Sequence, residues 1–409
     1  MKRAAYFTAR YPLLSLTFVE SEIRAMRRLG WEIQPISIHP PGPTDRLGER
    51  NQLAAQETAV LFNGFVSLIE SQTRAIGRHP LRYLRAMGNS LRHGPWDPKH
   101  CFKNLGYFML GVQLAAYLHE KSLKHVHVHL ANHAAWIARA ACRFDSRLSY
   151  SVSIHGPDEF YDAERSLIRQ KIADARWIRC ISEFCRSQVM AWSDETDWAR
   201  LYVIHCGISL TEFAPTRTTR KLESAADLEP FKILAIGRWV PLKGFSVLLR
   251  ACACLEQQGL PFKLRIAGAG PEERNLRYLA SALGLNSRVE WIGPLAPESV
   301  PSEILANHVL ALPSFMEGIP MVLMEALASE VTVVATRIAG IPELIEHGIQ
   351  GLLVDPGSVS ALAEALSELA SNPMRRLEMA RAGAVKVRAE FDIREIALRL
   401  DALLVASLS

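Results

Sequence analysis

The sequence predicts an α/β protein made of two Rossmann-like domains on parallel sheets. Three observations carry this. Short apolar runs alternate with longer amphipathic ones, the pattern of parallel strands with helices on both faces of a sheet. The length, 409 residues, exceeds one ordinary domain. A stretch almost without apolar residues, TRTTRKLESAADLEP at 216–230, separates two flanks that are each long enough for a domain. The expected division is an N-terminal domain over 1–211, a linker over 212–230, a C-terminal domain over 231–390 and a closing segment over 391–409.

Residues 4–8 read as the first strand and 17–29 as a helix, with Phe18, Ile23, Met26 and Leu29 near helical spacing and Gly30 ending it. Residues 32–38 form the next strand, stopped by Pro40 and Pro41, and further strands fall at 126–130, Ser149–Ile154 and 177–181. After the polar break come strands at 233–236, 263–267, 289–292, Val309–Leu312 and 332–335, each followed by a loop and a helical pattern. The last amphipathic helix, Ile393–Leu408, lies beyond the second domain's expected end and is expected to cross back onto the first. No repeat of 20–50 residues is found.

Composition narrows the class. Apolar residues are 49% and charged residues 22%, which suits a core-forming chain and excludes disorder for most of its length. The net charge of +5 is too small for a dedicated nucleic-acid binder. The longest apolar run, 105–118, is shorter than the ~20 residues a spanning helix needs. The N-terminus, MKRAAYF, develops no apolar signal region. A cytoplasmic chain with reduced, mostly buried cysteines is therefore expected, its seven Cys showing no framework. One stretch stands out: residues 74–103 hold five Arg and two Lys against Asp97, with Tyr83, Leu84, Leu91, Trp96 and Phe102 interleaved. It reads either as a solvated helical face or as a segment lying on an anionic membrane.

Three motifs carry chemistry. In PSFMEGIPMVLMEALA (313–328), Pro320 suits a first helical position, so Glu317 stands in the preceding loop and Glu325 in the second helical turn. The N–H groups of residues 321–323 would then point out of the helix as an anion site fit for a diphosphate, with carboxylates beside it to accept sugar hydroxyls. In GRWVPLKG (237–244), Arg238 and Lys243 flank another helix start at the carboxyl end of a strand, where ligands of open α/β sheets bind. In SIHGPD (153–158), His155 ends a strand before a forced turn, either facing a cleft or sitting satisfied in the core. GAGP at 268–271 lacks the third glycine of a dinucleotide fingerprint. No phosphate-binding G-x4-G-K-[ST] loop, H-E-x-x-H or Asp-x-Asp occurs. His125, His127 and His129 alternate on one strand and share a face, but a straight strand does not converge enough ligands for zinc. No metal and no cofactor are expected.

With these residues in view, RWVPLKG (238–244), GAGP (268–271), PSFMEGIPMVLMEALA (313–328), AGIPELI (339–345) and GLLVDPG (351–357) resemble glycosyltransferase family 4, the retaining group with the GT-B fold. YPLLSLTFVESEI (11–23), HVHLA (127–131), SIHGPDE (153–159) and CISEFC (180–185) are similar to its exopolysaccharide subset of the colanic-acid type. The resemblance spans nearly all of 1–390. It implies two domains facing across a cleft. Arg238 and Lys243 would neutralise the donor diphosphate, Glu317 would hold the donor sugar and Glu325 the ribose. Gly318, Ile319, Pro320 and Leu323 would line the donor, and His155 would sit near the reacting carbon. Ser15, Thr17, Phe18 and Asp158 would lie on the acceptor side.

Two departures stand against the pattern. Gly207-Ile208-Ser209 replaces Gly-Val-Asp, which alters a helix cap. Leu16 replaces the Glu of Ser-Glu-Thr-Phe, which bears on acceptor identity.

The implied activity is transfer of a hexose, with retention and without metal, from a UDP- or GDP-sugar to a lipid-linked saccharide or glycolipid. Preorganised cations and helix dipoles would stabilise the leaving diphosphate. The other reading is a non-catalytic nucleotide-sugar-binding partner of an assembly complex. The presence together of Arg238, Lys243, Glu317 and Glu325 weighs against it. A soluble disaccharide-phosphate or starch-type synthase fits less well, because residues 8–17 lack a glycine-rich loop.

Overall fold

A computed structural model describes residues 2–92, 98–164, 166–214 and 230–408. Most of the expected linker, together with Trp96 and Asp97, therefore lies outside the described residues. The contacts divide the chain into Met1–His205 with Arg394–Ser409 (unit 1), and Cys206–Ile393 (unit 2).

Unit 1 holds β1 (Arg3–Arg10), β2 (Glu32–His39), β3 (Ala59–Val60), β4 (His125–His129), β5 (Ser149–Ile154), β6 (Ile178–Cys180) and β7 (Leu201–Val203). They form one parallel sheet in the order β3-β2-β1-β4-β5-β6-β7. Parallel sheets are covered on both faces, so their strands read as continuous buried runs. Accordingly every residue of β4 is buried. Val126, Val128, Val152 and Ile154 pack with the alanine-rich helix His133–Phe144. That helix lies close to the helix Pro98–Glu120: a Cβ on Gly111 would come 2.7 Å from the Ala140 methyl. The closing helix Ile393–Leu408 is tied to unit 1 by polar contacts. Asp401 accepts from Lys2 and from the Trp31 indole, both at 2.6 Å, and Trp177 donates to Ser407 at 2.8 Å.

Unit 2 holds β8 (Phe231–Ile236), β9 (Phe262–Ala267), β10 (Val289–Gly293), β11 (Val309–Leu312), β12 (Thr332–Thr336) and β13 (Gly351–Val354). Its parallel sheet runs β10-β9-β8-β11-β12-β13. Counted from its own first strand, each unit has the doubly wound order 3-2-1-4-5-6, extended by a seventh strand in unit 1, and the ligand crevice of such sheets opens where the order reverses, outside the carboxyl ends of the strands. In unit 1 that point lies between β1 and β4; in unit 2 it lies between β8 and β11.

Candidate active site

In unit 2 the loops after β8, β9 and β11 meet backbone to backbone, and glycine makes this possible. Gly244 has φ +64°, and a Cβ there would land 2.0 Å from the Pro313 carbonyl oxygen. Gly268 has φ +140°, and its Cβ would sit 1.9 Å from the Gly237 carbonyl oxygen. Neither overlap is open to a residue with a Cβ, and the φ of Gly268 is one that side-chain residues rarely adopt. The Phe315 N–H donates to the Leu242 carbonyl at 2.7 Å, and Trp239, buried edge-on to Trp291, bonds the β9 loop through Ala269.

These contacts bring two of the expected residues together. Lys243 Nζ donates to Glu317 Oε1 at 2.5 Å, and the Ser314 hydroxyl donates to the same oxygen at 2.7 Å. Lys243 and Glu317 are both largely shielded from solvent. Arg238 is exposed and makes no ion pair among the described residues. The helix Phe245–Gln257 starts at Gly244, and the N–H groups of Phe245 and Ser246 make no hydrogen bond among the described residues.

The helix after β11, Met321–Ala328, departs slightly from expectation. Pro320 has ψ 126° and so precedes the helix, with Met321 as its first residue. The Leu323 N–H turns inward to the Pro320 carbonyl at 3.2 Å, and its side chain is buried in the core. The open N–H groups are therefore those of Met321 and Val322, not all three of 321–323, and Leu323 supports the loop from beneath. Ile319 and Pro320 are buried and Gly318 is half-buried. Glu325 lies in the second turn. Burial, aided by the Glu212 carboxylate on the short helix Leu210–Phe213, pushes its carboxyl up to about 7. Ser209, at the altered cap, precedes that short helix and makes no side-chain cap bond.

In unit 1, His155 stands at the carboxyl end of β5 and is buried. It is packed like a core residue, immediately after the last residue of β5. Its Nε2 lies 3.2 Å from His129 Nδ1, and the Phe18 ring stacks on it at 4.4 Å. Burial holds its imidazole well below the usual histidine range, hence neutral. Its backbone N–H and that of Gly156 donate to Glu159 at 2.5 and 3.2 Å, and the Ala131 N–H donates to the other oxygen of the same carboxylate. Thr17 opens the helix Thr17–Arg28 and is half-buried, while Ser15 is exposed. Leu16, at the cap of that helix, makes no side-chain cap bond. Asp158 lies in the turn Pro157–Phe160, and its side chain is outside the described residues.

Sequence reasoning missed a buried polar ladder behind His155. His125 and His127 each bond two serines of β5: His125 with Ser149 and Ser151, His127 with Ser151 and Ser153, all at 2.7–2.8 Å. The signal was present: His at 125, 127, 129 and Ser at 149, 151, 153 alternate in register on neighbouring strands. Glu22 and Arg179, equally buried, pair at 2.5 Å beside it. Glu22, His127 and His129 converge closely enough to hold a cation. The set does not suit one, because both His127 nitrogens serve hydroxyls and the Arg179 guanidinium already occupies Glu22.

The basic segment also resolves in part. Tyr83 is buried and donates to Gln72 at 3.1 Å, so it belongs to the core and not to an interleaved surface. Leu81, Leu84 and Phe102 are 82%, 57% and 80% exposed, and Phe65, Val66 and Ile69 on the neighbouring helix Phe65–Arg78 are exposed as well. Among the described residues no helix is long and apolar enough to cross a membrane. Among the described residues no disulfide joins two cysteines.

Comparison with known proteins bears on the loops just described. Residues 216–386 match the family Glycosyl transferases group 1. The chain is 33% identical over 210 residues to D-inositol 3-phosphate glycosyltransferase of Pseudarthrobacter chlorophenolicus, covering 50% of each chain. It is 25% identical over 417 residues to amylovoran biosynthesis glycosyltransferase AmsK of Erwinia amylovora, covering 95% of this chain and 96% of that one. The chain spans about half the length of the curated relatives it matches at 33–37% identity. Among solved structures, HepE of Anabaena in complex with UDP-glucose superposes with a TM-score of 0.75 at 18% identity, covering 99% of this chain and 100% of that one. The fold is that of the GT-B glycosyltransferases.

Proposed function

We propose that the chain is a retaining, metal-independent glycosyltransferase of exopolysaccharide or cell-envelope polysaccharide synthesis. It moves a hexose from a UDP- or GDP-sugar to a lipid-linked saccharide or glycolipid. The observation that carries this reading is the Lys243–Glu317–Ser314 cluster at the switch point of unit 2, between two helix starts with open N–H groups. The full-length likeness to AmsK supports the class of product.

The parts divide the chemistry between them. As the glycosidic bond to the diphosphate breaks, negative charge grows on the leaving oxygens. Lys243, Arg238 and the amides of Phe245, Ser246, Met321 and Val322 are fixed donors for that charge, so little reorganisation is needed. Glu317, held by Ser314, accepts the donor sugar's hydroxyls, and Glu325 accepts those of the ribose. His155 lies on the acceptor side with Ser15, Thr17, Phe18 and Asp158. The leaving phosphate takes the acceptor hydroxyl's proton, so neither a nucleophilic carboxylate nor a metal enters the step. The exposed apolar side chains Phe65, Val66, Ile69, Leu81, Leu84 and Phe102, set among Arg and Lys of 74–103, suit peripheral contact with an anionic membrane that carries the acceptor.

Substituting Lys243→Ala and Glu317→Ala separately tests the reading. Each is expected to lower donor turnover by about 10²–10³-fold, and unchanged turnover in both variants overturns it. A thermal-shift screen over UDP, GDP, ADP and their sugars identifies the donor, since the preferred ligand raises Tm most. Sedimentation with anionic vesicles at low salt tests the membrane contact, and a chain left in the supernatant refutes it.

A further inference from the structure

We propose that a cavity between the helices Pro80–Leu91 and His133–Phe144 of unit 1 binds a phosphate group, at a site separate from the donor loops. The cavity measures about 590 Å³, within the range of about 300–1,000 Å³ usual for small-ligand sites. Arg82, Arg85 and Asn89 line it from the first helix, and Arg139 and Arg143 from the second. Spacings of three and four residues set each group on one face of its helix. Ala86, Phe144, Leu148 and Tyr150, all buried, complete the wall. Tyr150 is the second residue of β5, whereas His155 follows its last. The cavity therefore lies at the amino end of that strand, and the ligand crevice of the sheet lies at the other.

The cavity holds more positive charge than its carboxylates offset. Asp174, in the lining, is shared: Arg139 donates to it at 2.6 Å and Arg143 at 3.0 Å. Asp145 accepts from Arg147 at 2.6 and 2.9 Å and reaches Arg82 only at 4.0 Å. Arg85 is exposed and makes no ion pair among the described residues. Five guanidiniums thus meet two carboxylates, an excess of three positive charges. Arg139 is held in place, buried and stacked on the Trp136 ring at 4.6 Å. A hollow lined by one sign of charge concentrates the opposite ion, and guanidinium forks match pairs of phosphate oxygens. A phosphate monoester carries two charges and three terminal oxygens, enough to meet donors from both helices at once. A carboxylate has one charge and two oxygens in one plane.

Two sources offer this chemistry, free phosphate and the headgroup of an anionic lipid. Leu81 and Leu84, on the next face of the helix Pro80–Leu91, are exposed beside the cavity arginines. An apolar rim next to a cationic hollow suits a phosphate that heads a lipid. That choice of source rests on the membrane contact proposed above; the phosphate site itself does not.

The test pairs two measurements on the full chain: calorimetric titration with inorganic phosphate, and sedimentation with phosphatidylcholine vesicles containing phosphatidic acid. Arg82→Gln/Arg85→Gln removes two cavity charges at exposed positions. Arg78→Gln/Arg92→Gln removes the same charge from exposed residues outside the lining. Phosphate affinity is expected to fall about tenfold in the first variant and to hold in the second. No loss in the first, or equal losses in both, overturns the proposal. If the first does not fold, Arg85→Gln alone replaces it, since that side chain has no ion pair to lose. Vesicle binding lost only in the first variant assigns the site to a lipid headgroup; vesicle binding alike in both, with the phosphate difference kept, assigns it to free phosphate. Neither measurement uses donor or acceptor, so failure of the glycosyltransferase reading leaves the result standing.

Discussion

The two units repeat one strand order and prepare their ligand ends by opposite means. Unit 2 does it with backbone: glycines let three loops touch, two helix starts leave amides open, and partly shielded side chains such as Lys243 and Glu317 stand on that rigid base. Unit 1 does it with buried side chains: a His–Ser ladder and a Glu22–Arg179 pair reach from the core to His155. A backbone site is intolerant of added atoms. A buried polar site is intolerant of lost partners, because each group taken from water is costly unless satisfied.

The sharpest way to break this contrast is to add one carbon to unit 2. In Gly268→Ala the new Cβ meets the Gly237 carbonyl at 1.9 Å under a φ of +140°. The expected result is a loss of about 4 kcal/mol or a chain that does not fold. Gly259→Ala is the control. It shares a positive φ of +73° but meets nothing within 4 Å, and about 1 kcal/mol is expected. Urea midpoints compare the two; equal losses would mean that φ, and not the approach of the loops, makes Gly268 necessary.

The complementary break in unit 1 removes a partner. Arg179→Met strands the Glu22 carboxylate in the core, and a loss of about 3 kcal/mol or more is expected. Adding Glu22→Met should recover part of that loss, since the uncompensated charge is then gone. Hydrogen exchange followed peptide by peptide should place the Arg179→Met effect on β4–β6 and spare β8–β11.

The same contrast decides what was legible beforehand. The sites of unit 2 depend on residue types with fixed local consequences, such as glycine at positive φ and proline before a helix, so the loops at 237–244 and 313–320 could be read in order. The resemblance then supplied roles for Lys243 and Glu317. Their ion pair, and the part of Ser314, needed the fold, because they are 74 residues apart. The polar core of unit 1 is non-local throughout. Glu22 and Arg179 are 157 residues apart, and nothing near either predicts the other. The histidine alternation is visible along one strand, but its serine complement lies on the next. Strands β3 and β7, of two and three residues, are too short for period to reveal. The one local departure is the Leu323 N–H, which closes on the Pro320 carbonyl at 3.2 Å, a contact that the spacing alone does not reveal.

A smaller expected effect separates the units by the sign of their pH dependence. Burial lowers His125 from 6.5 to about 3 and lowers His127 in the same direction. Between those values the unfolded chain binds more protons than the folded one. Their stability is therefore full above pH 6.5 and drains as pH falls toward 3, at about 1.4 kcal/mol per pH unit for each titrating histidine. Glu325 is raised from 4.5 to about 7, so its contribution is full below 4.5 and is lost as pH rises through 7. Exchange protection corrected for intrinsic rates should fall in β4–β5 on acidification from pH 6.5 to 4. In the helix Met321–Ala328 it should fall between pH 5 and 8. Parallel trends in both places would erase the distinction.

The smallest expected effect concerns donor binding. A carboxylate accepts hydrogen bonds from both ribose hydroxyls more strongly than its neutral acid does, and bonds to charged groups exceed neutral ones by about 1 kcal/mol. With Glu325 titrating near 7, donor KM should fall a few-fold as pH rises from 6 to 8. Glu325→Gln removes the titration and should flatten the profile at the weaker level. Glu212→Gln removes the neighbouring carboxylate and should shift the midpoint to lower pH without flattening it. A wild-type KM that is level over this range would detach Glu325 from the nucleotide and leave it a purely structural acid of unit 2. A level KM in Glu325→Gln with an unshifted midpoint in Glu212→Gln would keep the ribose contact and assign the raised carboxyl to burial alone.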